Sequence, residues 1–346
     1  MYRHIKIFCG PDNTVILIDN YAYICGSDIR RITRNASHYK SNQFNRIHFE
    51  QKISSIHLQY SRLFMLTATN KIYVGGSNYD GQLGLRHQRN QQFPTLLKLD
   101  SELKIKMIKC MSYRTMIITE NRECFACGYN ACGELGFGDN YKRYNTFQKL
   151  LVNDVITVSC MQFSTFILTK SGCFVCGSNS VGQLGLGNYI QQNSLQRLEL
   201  SNIIALECGE SYAFALASDG IYSWGCNDNG ELGIGKHHKN KNSPQKVDFG
   251  NLITARVVSI RCGSFPTVFL TELGELFICD DDGDQIFKKL HLDKFVVSID
   301  CGQSHVIAVT SDGNMYGWGS NTDGQLGLGD DRYVYHKKPC RLELKI

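Results

Sequence analysis

Proline and tryptophan are scarce in this chain of 346 residues, with five and two copies. That scarcity excludes proline-rich linkers and extended recognition tracts. No apolar run approaches the roughly 18 residues of a membrane-spanning helix, and no apolar segment follows a basic start as in a secretory leader. No charged tail, compositional break or sustained helical period divides the sequence. Neither membrane insertion nor classical secretion is therefore expected, and residues 1–346 read as one domain. The formal charge of +5 says less than where the charges fall.

Repetition fills the space these absences leave. Asn-x-x-Gly-Gln/Glu-Leu-Gly starts at Asn78, Asn130, Asn179, Asn227 and Asn321, mostly at a spacing of about fifty residues, the period of propellers and solenoids. Ahead of it runs an apolar stretch ending in Cys-Gly or a substitute, with seven copies at Cys9, Leu58, Cys110, Cys160, Cys208, Cys262 and Cys301. A short aromatic strand ending in Gly follows, from Tyr23-Ile-Cys-Gly26 to Tyr316-Gly-Trp-Gly319, with a frayed copy at Phe277-Ile-Cys279-Asp280. Pairs such as Phe166, Leu168 and Phe214, Leu216 alternate with period two. Ser218-Asp219-Gly220 and Ser311-Asp312-Gly313 read as tight turns. In the Gly-x-Leu-Gly turn, the leucine is expected to be buried and the glycines to permit close backbone approach. Each repeat predicts one small antiparallel sheet.

Val297-Ser-Ile-Asp-Cys301-Gly-Gln-Ser-His305, followed by Trp318-Gly-Ser-Asn321-Thr-Asp-Gly324-Gln-Leu-Gly327-Leu-Gly329, resembles the repeat of the regulator of chromosome condensation (RCC1) family. The resemblance covers essentially the whole chain, with repeats one and six degenerate. It implies an all-β fold: a seven-bladed β-propeller of four-stranded antiparallel blades. A propeller must also close its ring. The sequence Pro339–Leu344 matches segments that precede the next Cys-Gly strand elsewhere, so it is expected to join the N-terminal blade beside Ile5–Ile18. The ring would then be closed by strands from both termini.

Fifteen cysteines, an odd number, include six at the Cys-Gly position and four (Cys25, Cys127, Cys176 and Cys279) before the glycine of the aromatic strand. They read as small buried hydrophobes and free thiols of a reducing compartment, nuclear or cytoplasmic. Cys124/Cys127 and Cys173/Cys176 have the spacing of zinc half-sites, but residues three apart on a strand point to opposite faces, so no metal is expected. The Gly-Leu-Gly runs lack the strand–loop–helix context of a phosphate loop. Asp280, Asp281, Asp282 and Asp284 lack the spacing of a calcium-binding EF-hand loop. No cofactor is implied, and no nucleophile–base pair stands outside the repeat frame.

In the RCC1 family, residues two to four past the Cys lie near a face that contacts the GTPase Ran, where acidic and histidine side chains contribute to guanine-nucleotide exchange. The matching positions are Asp12, Glu210 and His305; Met111, Ser112, Gln162 and Phe163 depart from the acidic pattern. The family's exchange factor also carries a β-wedge after one Trp-Gly strand. Here that region is a uniform short turn in repeats two to five and seven. It differs only at Ser27–Gln43, with Arg30, Arg31, Arg34 and Lys40, and at Asp280–Gln285. Two tryptophans leave nothing for the tryptophan-cluster photoreception of one plant branch. After the Gly-x-Leu-Gly turns, Arg86, Arg89, Lys142, Arg143, Lys236, Lys239, Lys241, Arg332, Lys337 and Lys338 are expected to form a basic rim. Such a rim suits phosphates or an acidic protein. The leading expectation is a monomeric protein-interaction module for a small Ras-like GTPase such as Ran, with exchange activity open. The alternatives are a chromatin- or DNA-associated binder using the rim, or a scaffold for another protein partner.

Overall fold

Seven four-stranded antiparallel sheets form a ring, a seven-bladed β-propeller. The computed structural model describes residues 5–27, 40–99, 103–139, 142–235, 239–264, 266–279, 287–329 and 334–344. Blades 1 to 7 span residues 5–47, 53–97, 105–149, 155–197, 203–246, 257–290 and 296–342. Within each blade the strands follow chain order, here A to D, from a central channel lined by strand A of every blade to an outer strand D. Among the described residues no helix is long and apolar enough to cross a membrane.

Strand B shows why the ring forms. Its residues are buried throughout in blades 1 to 7, as in Asn13–Ile18 and His305–Thr310. Alternate residues enter different cores: Phe214 and Leu216 pack against blade 6, whereas Ala213 and Ala215 pack against blade 4. A sheet apolar on both faces needs a neighbour on each side. The hydrophobic residues accordingly divide into seven clusters, one between each pair of adjacent blades.

The repeated turn locks each blade to the next. Asn78 Oδ1 accepts the Leu83 N–H at 2.8 Å, while its Nδ2 donates to the His87 carbonyl at 2.7 Å. Asn130, Asn179, Asn227 and Asn321 repeat the first contact on Leu135, Leu184, Leu232 and Leu326. All five leucines are fully buried, each contributing about 2 kcal/mol of hydrophobic stabilisation. The Gln82 carbonyl then accepts the Thr115 hydroxyl of the following blade at 2.8 Å, and Glu134 and Thr165 repeat that bond at 2.6 Å.

The ring closes differently from the sequence expectation. Strand D of blade 7, Tyr335–Leu342, pairs with Met315–Ser320 of its own blade and not with the N-terminal blade. Strand A of blade 1 faces the central channel, whereas the outer edge of strand C is free, and strand D takes that outer position in every blade. Closure is made largely by side chains: Ile16, Ile18 and Tyr23 of blade 1 pack with Ile307, Val309 and Leu342 of blade 7, and the Gly329 N–H adds a backbone bond to the Asn42 carbonyl at 2.7 Å. The Thr14 hydroxyl donates to the Gln325 carbonyl at 2.7 Å and lies 2.9 Å from His305 Nε2. Because its single proton is used on Gln325, the imidazole donates through Nε2, and its buried Nδ1, with no partner among the described residues, fits the neutral ring. Burial supports this state by lowering the His305 pKa to about 3.

Two outcomes are expected. Gly324 has φ +79°, and a methyl there would meet the Asn42 Cα of blade 1 at 2.6 Å, whereas Gly313, at φ +80°, faces open space. Gly313→Ala should cost about 1 kcal/mol of backbone strain, and Gly324→Ala clearly more, about 3 kcal/mol, measured by chemical denaturation. Equal costs would refute the close-approach argument. The second concerns pH. The folded pKa of His305 lies below its ordinary 6.5, so below that pH the unfolded chain takes up a proton that the native state refuses. Stability contributed by neutral His305 is complete above pH 6.5 and is lost as pH falls towards 3. His305→Gln should flatten this acid limb in melting experiments across pH 7 to 4; an unchanged slope would show that His305 is not responsible.

Candidate functional site

The channel and its mouth collect side chains that differ from blade to blade. Strand A ends at the Cys position, and strand B begins after a short loop. Pairing of Arg114 with both Met111 and Gly128, and of Asn130 with Lys142, places the A–B loop and the C–D loop at the same end of a blade. The sequence-predicted acidic positions and basic loops therefore share one face, the first near the axis and the second at the periphery.

The channel encloses a cavity of about 370 Å³. Just before the Cys position it is lined by Phe8, His57, Lys109, Ser159, Glu207, Arg261 and Asp300. Arg261 ties blades 5 to 7 together, its Nη1 lying 2.9 Å from Glu207 Oε1 and its Nε 3.4 Å from Asp300 Oδ1. Burial opposes the Arg261 charge, but Glu207 and Asp300 offset it and raise its pKa. Burial raises the Asp300 pKa against the Arg261 charge and the Cys9 N–H, which donates to Oδ2 at 2.7 Å. The cysteine thiols behind this ring are all free. Burial pushes Cys110 up to about 12 and Cys9, Cys208 and Cys301 well above their ordinary value, so these are poor nucleophiles. Cys124 packs between blades 3 and 4, whereas Cys127 Sγ turns to the Gln82 carbonyl of blade 2. The two thiols lie on opposite sheet faces and do not converge on one ion.

Glu210 is the exposed acidic group of the mouth. Its Oε1 accepts the Ser264 hydroxyl at 2.6 Å and the Gln303 amide at 2.9 Å, reaching from blade 5 to blades 6 and 7. Asp12 is half-buried on blade 1. Burial raises the Tyr60 pKa, with the charges of Glu210 and Asp12 adding to it. Tyr60, with φ 49° in the left-handed region, and Tyr113 are exposed; Tyr113 stacks on Phe163 with centroids 6.3 Å apart. This aromatic group was not legible as a site because each residue occurs once, in a loop without periodicity. The only sequence signal was departure from the repeat at positions such as Phe163.

His305 belongs elsewhere. It is fully buried, so it offers no surface to a partner. Its slot at the start of strand B is a latch to the following blade. Arg62 donates to the Ser112 carbonyl, Arg114 to those of Met161 and Gln162 at 2.8 Å, and the Tyr212 hydroxyl to that of Gly263 at 3.1 Å.

Among the described residues the basic positions are interrupted by other side chains. Arg86, Arg89 and Lys239 are exposed and Lys241 is half-buried. Arg143 is paired with Asp80 at 2.7 Å, and Lys142 opens strand D of blade 3. In the corresponding loop blade 4 exposes Tyr189 and Ile190 instead. Lys337 and Lys338 lie within the outer strand of blade 7. Lys236, Arg332, the acidic stretch 280–285 and residues 28–39 of the arginine-rich segment Ser27–Gln43 lie outside the described residues.

Comparison with known proteins agrees with the repeat reading. The model of the regulator of chromosome condensation (RCC1) repeat matches residues 70–118, 218–270 and 312–345, and a second model of the same description matches 296–325. The human X-linked retinitis pigmentosa GTPase regulator is 34% identical over 297 residues, covering 80% of this chain but 29% of the relative's length. The chain thus spans less than a third of that protein. The Arabidopsis thaliana ultraviolet-B receptor UVR8 is 26% identical over 95% of the chain and 68% of its own length. The crystal structure of Prp20p from Saccharomyces cerevisiae, a protein with binding properties towards Gsp1p and histones, superposes with a TM-score of 0.81 at 19% identity, covering 99% of this chain and 88% of that one. Seven blades, the matched repeats and these likenesses place the chain in the RCC1 repeat family.

Proposed function

We propose that this propeller is a protein-interaction module that engages a small Ras-like GTPase such as Ran through the channel mouth. The observation that carries the reading is Glu210, exposed and held in place by Ser264 and Gln303 from two other blades. A fixed carboxylate near Tyr60, with Tyr113 exposed on the same mouth, provides what a basic protein surface needs: a preorganised charge and aromatic contact area. The names of the human GTPase regulator and of the Gsp1p-binding Prp20p support a GTPase as the class of partner. A nuclear or cytoplasmic setting suits the free thiols. Exchange is a further demand, since the module must then bind the nucleotide-free GTPase better than the loaded one.

The test measures complex formation with, and nucleotide release from, Ran and a panel of related GTPases. The wild-type chain should bind at least one, and Asp12→Ala/Glu210→Ala should weaken that complex about tenfold or more without changing the melting temperature. Faster release would add exchange to binding. Absence of any complex across the panel would sink the GTPase reading.

A second reading follows from exposed Arg86, Arg89 and Lys239 on the same face: contact with nucleic acid or chromatin. Binding to duplex DNA should then weaken steeply with salt, the logarithmic slope being about −0.9 per phosphate neutralised, and should flatten in Arg86→Ala/Arg89→Ala. A salt-insensitive or unchanged profile would remove this reading.

A further inference from the structure

The opposite face of the ring carries a pattern that neither the repeat nor the mouth explains. Near its start, strand A contains a bulge in blades 2 to 7, where one extra residue leaves the ladder. The extra residue sits where strand A meets the end of strand B, opposite the mouth. In four consecutive blades it is aliphatic and turned to solvent: Ile156, Ile204, Val258 and Val297 are 37%, 60%, 42% and 51% exposed. In blades 2 and 3 the same position holds Ser54 and Lys106, and blade 1 places Lys6 beside them. Lys6 Nζ reaches the Ser54 carbonyl at 3.4 Å, so neighbouring positions on this inner circle touch.

One half of the circle is therefore apolar and the other cationic. Leu273 and Phe295, exposed on adjoining loops, widen the apolar half. Lys52 and Lys104, exposed on the loops entering strand A of blades 2 and 3, reinforce the cationic half. Charges bordering the apolar half are paired with one another, Lys170 with Asp154 and Arg256 with Glu272. A bulge residue at a strand end lies outside the cores between blades, so the fold itself does not call for an aliphatic side chain there. Exposed aliphatic side chains grouped in this way mark a contact surface.

We infer that this face docks a second protein partner through an acidic amphipathic segment, its apolar side chains on Ile156, Ile204, Val258 and Val297 and its carboxylates towards Lys6 and Lys106. Charge complementarity selects this occupant: a basic segment would meet the lysines, and a wholly apolar one would leave them uncovered.

Fluorescence anisotropy of the full chain provides the test. The probe is a short labelled peptide with leucine and phenylalanine in one half and glutamate in the other; its control has lysine in place of glutamate. The glutamate peptide should bind about tenfold tighter than the control, and each of Ile204→Glu/Val258→Glu and Lys6→Glu/Lys106→Glu should weaken it about tenfold. All four positions are on the surface, so both variants should keep the wild-type melting temperature. Equal binding of the two peptides, or indifference to both variants, overturns the inference. So does self-association in sedimentation that the aliphatic substitutions abolish, because the occupant would then be a second copy of the chain. Binding of a GTPase at the mouth should be unchanged in both variants, so failure of either proposal leaves the other standing.

Discussion

Each blade is a sheet with two apolar faces, and everything else in this structure depends on covering both. A single blade would leave both faces of strand B in water, and an open row would still leave two, one at each end. Only closure removes both ends, so the seven interblade clusters form one cyclic dependency. Closing the ring without a shared four-stranded sheet places particular weight on the contact between blades 7 and 1. There Thr14, Gln325 and neutral His305 supply the polar part of a joint whose remaining area is hydrophobic.

The cyclic arrangement also separates residues that serve the fold from residues free to serve a partner. The turn asparagines and leucines recur because each joins a blade to its own loop and to the next blade. His305 shows the limit of reading single copies as functional. It is the only histidine in its slot, yet Arg62, Arg114 and Tyr212 do the same work with different atoms. In blades 2, 3, 5 and 7 the slot holds a group that bonds to the following blade, of no fixed residue type, whereas Ser164 bonds within its own blade. Glu210 and Tyr60 differ in kind: their exposed side chains lie in loops beyond the pairing of strands A and B.

Much of the fold was legible because the repeat amplifies it. Five copies of Asn-x-x-Gly-Gln/Glu-Leu-Gly predict a turn with a buried leucine, and all five leucines are buried. The closure was misread for a physical reason. The segment ending each repeat has the same pattern whether it pairs backwards with strand C or forwards with the next strand A, so the pattern alone does not choose. Pairing of Gly319 with His336 and of Ser320 with Tyr335 shows that it lies on strand C. The mouth was legible in part. Asp12 and Glu210 came from the family pattern, whereas the Tyr113–Phe163 stack depends on the ring curvature that brings loops of adjacent blades together. The aliphatic circle was invisible for a related reason: a valine at a bulge looks like a valine in a strand until the register shift turns it outwards.

The two faces are built from the two ends of one strand. Strand A runs from the bulge position to the Cys position in four steps, as from Ile204 to Cys208, a separation of about 13 Å at ordinary strand rise. The two surfaces face opposite ways, yet the same hydrogen-bonded elements carry both. Allosteric coupling between them would require an element with two arrangements of similar energy. The described ring offers the opposite: latches at the mouth, fully buried strands and glycine loops seated on neighbouring backbone all resist rotation of one blade against another. The physical character of the molecule is that of a platform that holds partners at fixed positions, with specificity residing in the few side chains on each face that the repeat leaves free.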